Sequence, residues 1–170
     1  MTDEELRSFS GEHLFYELEM VFSVGPLAMK YARAESLEDQ VIKNALIESF
    51  AIHVRVLKAF FYDAARWPED VTAVDYVSNA EEWILRRGNA PDVLETAAKR
   101  ASGETAHLTT RRRSEPEAKH WAVQPLLGAL TGIFCRFVSM TPKARLDWRI
   151  YMLASDLGFK SQEGSGEDNG

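Results

Sequence analysis

Arg100 and His107, seven residues apart in KRASGETAHLTTRRR, are the pair in this sequence best suited to acid–base chemistry on a phosphate. On a regular helix seven residues make two turns, which would set both side chains on one face, roughly 10 Å apart along the axis. An imidazole takes or gives a proton near neutral pH, and a guanidinium holds phosphate oxygens and stabilises charge developing on a pentavalent phosphorus. Cleavage of RNA by its own 2′-hydroxyl needs little more, and no metal. The same spacing also occurs where an arginine and a histidine only tie helices together, so spacing by itself supports both readings.

Two further groups stand beside this pair. Arg111, Arg112 and Arg113 follow His107, and residues 99 to 120 hold six basic and three acidic residues, a +3 stretch in a chain of net charge −6. Such a run serves as a phosphate-binding rim or as a helix end complementing its own dipole. Earlier in the chain, His53 sits in the apolar stripe Ile42, Leu46, Phe50, Leu57, Phe60 and Phe61, where a buried imidazole needs a hydrogen-bond partner. Ser49, one turn earlier, is the expected one. Glu48 and Arg55 share a helix face, and Arg55 lies about 200° around the helix from His53. The functional reading makes Glu48, His53 and Arg55 supporting groups of the Arg100–His107 pocket; the plain one makes His53 a satisfied core histidine.

Other chemistry is poorly represented. There is no glycine-rich phosphate loop, dinucleotide fingerprint, nucleophile elbow or HExxH. Glu104-x-x-His107 is half of a carboxylate metal motif without its second half, so neither a metal nor a cofactor is expected.

An arginine followed at this distance by a histidine on a late helix of an all-α chain resembles the signature of the HEPN (higher eukaryote and prokaryote nucleotide-binding) superfamily. Arg100-Ala101-Ser102-Gly103-Glu104-Thr105-Ala106-His107 matches its longest form. ALIESFAIHVRVLKAFFYD, DVTAVDYVSNAEEW and AHLTTRR are similar to segments of bacterial abortive-infection-like helical proteins, and the likeness spans about residues 44 to 113. The resemblance implies an RNA-cutting toxin or an RNA- or nucleotide-binding protein, working as a homodimer and held in check by an antitoxin protein. His107 would then transfer the proton, Arg100 would hold the phosphate, and Arg111 to Arg113 would grip the backbone. The pattern departs at Ala101, where the family has a polar residue, and at Gly103, which weakens a helix by about 1 kcal/mol relative to alanine. A non-catalytic helical bundle acting as a protein-interaction module is the alternative.

The elements that must position these groups read as helical nearly throughout. Apolar residues three and four apart predict helix one over residues 12 to 33, kinked or broken at Gly25-Pro26, and helix two from about Leu37 to Tyr62 behind a Ser36 cap. An irregular connection follows, with a helix start at Asn79. A third long helix opens at Asn89-Ala90-Pro91-Asp92, and a last one spans 117 to 139, broken or entered near Pro125. Residues 143 to 157 form a short terminal helix. Trp67, Trp83, Trp121 and Trp148 are expected to cap the core. The fold class is all-α, a four- to five-helix bundle, mainly antiparallel, with a short irregular connection in the middle.

Composition sets the frame for these parts. At 170 residues, 45% hydrophobic and 27% charged, the chain has the size and make-up of one globular domain, placed at residues 1–158, with a disordered tail at 159–170. The net charge of −6 argues against coating nucleic acid by bulk electrostatics, while leaving room for a local basic site. The single cysteine, Cys135, excludes a disulfide framework and is expected to be an inert core thiol. No signal-like segment opens the sequence, and Gln124, Arg136 and two glycines interrupt its most apolar stretch, so a cytoplasmic protein without a membrane span is expected.

Overall fold

The structure is a computed structural model and describes residues 1–33, 35–105 and 120–159, with residues 104 and 105 described in their backbone alone. His107, Arg111, Arg112, Arg113 and residues 160–170 of the expected tail lie outside the described residues. Within them the chain is all-α, without a strand.

The first helical rod starts earlier than the apolar pattern indicates. α1 (Asp3–Phe9) is opened by a reciprocal cap: the Glu5 backbone N–H donates to the Thr2 hydroxyl, and Thr2 N–H donates to the Glu5 carboxylate, at 3.2 and 2.6 Å. Asp3, Glu4 and Glu5 fill its first turn, where the dipole favours negative charge. A π turn over Ser10–Leu14 then leads without a break into α2 (Phe15–Lys30). Gly25-Pro26 does not break the helix, and α2 continues through both residues. Packing overrides the lost backbone donor here. A side chain on Gly25 would meet the Phe50 ring at 2.9 Å and Val123 at 3.2 Å, so this glycine lets two neighbouring helices approach rather than acting as a hinge.

α3 spans Leu37–Tyr62 behind the Ser36 cap, as its sequence signals predict. Phe50, Val54, Leu57, Phe60 and Phe61 on its inner face are buried. The connection after α3 is more ordered than its mixed sequence indicates. α4 (Ala73–Tyr76) and α5 (Ala80–Arg87), capped by Thr72 and Asn79, fold it and drive Tyr76 and Trp83 fully into the core. Their rings and those of Phe60 and Phe61 stand edge-on around Phe137, with centroids 5.4 to 5.9 Å away. These short helices raise the number of segments above the four or five that periodicity alone counts.

α6 (Asp92–Arg100) passes into a second π turn, Ala101–Thr105. α7 (Val123–Met140) is entered near Pro125, which sits in the first turn where no backbone donor is needed. Among the described residues it is the one helix long and apolar enough to cross a membrane by length and composition. Its stripe of Leu126, Leu130, Phe134 and Phe137 is buried in the protein core instead. A 3₁₀ turn, Lys143–Arg145, leads to α8 (Trp148–Asp156), capped by Asp147. Of the four tryptophans only Trp83 is fully buried; Trp67 and Trp148 are 66% and 64% exposed, contrary to the expected core-capping role.

Candidate binding cleft

Arg100 ends α6, and its surroundings bear directly on the phosphate-ligand expectation. Its guanidinium lies 4.5 Å from the centre of the Trp121 ring and donates to the His120 carbonyl at 2.9 Å. One face and one donor of the fork therefore brace the end of α6 against the entry to α7. Beyond Arg100 the backbone leaves α geometry at Ala101. Residues 101–105 follow π rather than α geometry, and His107, the other member of the expected pair, lies outside the described residues.

His53 is buried, and its partner is not Ser49 on the same helix. Nδ1 stands 2.7 Å from a carboxylate oxygen of Glu17 on α2, and the Tyr16 ring meets the imidazole edge-on at 5.5 Å. A carboxylate can only accept, so Nδ1 carries the proton in this pair. The bond ties α2 to α3. Glu48 and Arg55 are exposed; Arg55 borders the cleft described next, whereas Glu48 does not.

A cleft of about 890 Å³ is bounded by the first π turn, α3, the loop after α3 and α6. Both π turns contribute to its walls, through His13 and Leu14 on one side and Ser102 on the other. At its floor Lys58, only 8% exposed, donates to Asp63 at 2.6 Å and pairs with Glu95 on α6 at 2.9 Å. Burial works against the ammonium charge, but the hydrogen bonds and charges of the two carboxylates outweigh it and raise the lysine above its ordinary range. Asp70 accepts from the backbone N–H groups of Arg66 and Trp67 at 2.8 and 3.0 Å, folding the loop so that Trp67 stands exposed on the cleft wall.

The cleft is lined by four acidic and four basic side chains, and the two sets differ in their partners. Glu17, Asp63, Asp70 and Glu95 are each engaged by His53, Lys58 or loop N–H groups. Arg55, Arg66 and Lys99 also line the cleft, and among the described residues their side chains make no ion pair. An exposed indole beside three such cations can stack on a flat ring and hold an anionic group attached to it. Sequence reasoning missed Trp67, Lys58, Glu95 and Lys99 as a group, because they converge from three separate segments. The readable signal was local: Trp67-Pro68-Glu69-Asp70 is a turn, and a tryptophan in a turn has no helix face to bury.

A smaller opening of about 450 Å³ involves Arg86, Cys135 and Arg136. Cys135 is half-buried, and burial raises its thiol above the usual range, away from nucleophilic use. Among the described residues no three of His, Cys, Asp and Glu gather as metal ligands would. Comparisons with protein families, with curated proteins and with solved structures found no match.

Proposed function

We propose that this chain is an HEPN-like helical bundle of the cytoplasm that binds a nucleotide or a stretch of single-stranded RNA in the cleft between α2, α3 and α6. The exposed indole of Trp67 in a cleft also lined by Arg66 and Lys99, which make no ion pair among the described residues, carries the reading. A base stacks on Trp67 while phosphate oxygens meet Arg66 and Lys99. RNA cleavage by Arg100 and His107 is the second reading, favoured by the position of Arg100 directly after the cleft residue Lys99. The contacts of Arg100 with Trp121 and His120 favour a bracing role for that residue and hence binding over cleavage.

Fluorescence anisotropy with a labelled single-stranded RNA tests the first reading. Trp67→Ala is expected to weaken binding about tenfold, within the range of base–aromatic stacking, and Lys99→Ala severalfold, without loss of helical circular dichroism. Unchanged affinity in both variants would remove the cleft from consideration. Incubation of RNA with the wild type and with His107→Ala in EDTA tests the second, where loss of cleavage in the variant is the expected result.

A further inference from the structure

We propose that the outer face of α3 is the surface on which a second copy of this chain docks, antiparallel, with Glu48 of each copy facing Arg55 of the other. The inner face of α3 is spent on the core, but its outer face stays apolar: Leu37 is 79% exposed, Val41 60%, Ile52 49% and Val56 40%, and Ala45 is exposed as well. At 100° per residue these positions fall within a stripe about 100° wide, running about 28 Å along the helix. Single exposed apolar residues are ordinary, whereas a continuous stripe of that length marks a surface that is covered.

The charges within the stripe specify what covers it. Glu48 lies four residues before Ile52 and Arg55 three after it, both are exposed, and neither has a salt bridge or side-chain hydrogen bond among the described residues. They are about 10 Å apart along one helix, too far to pair with each other. A two-fold axis across α3 near Ile52 brings the level of residue 48 to that of residue 55 in the other copy. Like flanks face each other in an antiparallel pair, so a carboxylate then meets a guanidinium twice, on either side of an Ile52–Ile52 contact. A parallel pair would set Glu48 level with Glu48 and Arg55 level with Arg55. The face is thus complementary to itself in one orientation, and the apolar stripe supplies the attraction while the charges fix direction. Arg55 and Val56 at the end of this face also border the cleft, so the second copy stands at its rim and takes up Arg55.

Sedimentation equilibrium of the full chain decides the matter. The wild type is expected to be a dimer, and Ile52→Asp to raise its dissociation constant about a hundredfold by burying an unpaired charge at the centre. Glu48→Arg or Arg55→Glu alone is expected to raise it at least about tenfold, and the combined exchange to bring it back to within a few-fold of the wild type. All three positions changed are exposed, and circular dichroism with thermal melting verifies that each variant folds. A monomeric wild type, a dimer indifferent to Ile52→Asp, or a combined exchange no better than either single change would each overturn the proposal.

Discussion

Lys58 shows how a single side chain can hold a site together while standing outside any sequence motif. It sits at the floor of the cleft with Asp63 and Glu95, so removing its charge leaves two carboxylates facing each other. Lys58→Met is therefore expected to cost about 2 kcal/mol, less than for a fully buried pair because both carboxylates keep about a third of their exposure. The sign of the pH dependence follows from the raised lysine value. The folded state holds this proton more tightly than the unfolded one, so the contribution is complete below the ordinary lysine range and is lost as pH rises beyond it. Thermal melts at rising alkaline pH should show the gap between wild type and Lys58→Met closing; a gap that persists would mean that the packing of the lysine stem, not its charge, is what matters. At this scale the sequence was legible in part. His53 read correctly as a buried group needing a partner, but Glu17, thirty-six residues away, is brought to it by helix packing that no local spacing encodes.

Local chemistry at helix ends carried more information than residue pairs did. Ser36 and Asn79 cap the helices that follow them as their sequence signals indicate, because the cap is a contact between residues three apart. Gly25-Pro26 does not break α2, and the close neighbours of Gly25, Phe50 and Val123, are distant in sequence. The glycines separate these two cases by experiment. Gly25→Ala gains about 1 kcal/mol of helix propensity, but its new methyl meets the immobile, fully buried ring of Phe50, an overpacking that costs about 1 to 3 kcal/mol. Gly132 on α7 has open space around its would-be methyl, so Gly132→Ala keeps the whole gain. Differential scanning calorimetry should find the first variant melting below the wild type and the second above it. A stabilised Gly25→Ala would show that α2 and α3 do not pack as closely as described.

Across the whole molecule, the net charge of −6 sets a limit on the binding of anions. A general acidic field discourages bulk association with polyanions, so any nucleic-acid binding must come from the few cations that no carboxylate neutralises. Arg66 and Lys99 make two, and the logarithm of RNA affinity should fall against the logarithm of salt concentration with a slope of about −1.4. A slope several times steeper would point to the arginine run at 111–113 as the main contact. The all-α class was legible from periodicity, since 3.6-residue spacing is written directly into the residues. The cleft was not, because its walls come from α2, α3 and α6 and meet only after folding.

The π turn at Ser10–Leu14 sets the phase of everything before it. It behaves as one residue inserted into an otherwise regular rod, and the insertion is locked in place: Ser10 accepts from the Asp147 N–H, and Gly11 lies against Asp147 and Arg149. Ahead of it, Leu6 is buried and receives the Tyr76 hydroxyl on its carbonyl, while Asp3 pairs with Arg145. A chain one residue shorter at this point would form a more regular helix and a worse protein, since α1 would turn by about 100° and present Leu6 to water. The number of residues between Leu6 and Phe15 is thus held by the start of α8, through Asp147 and Arg149.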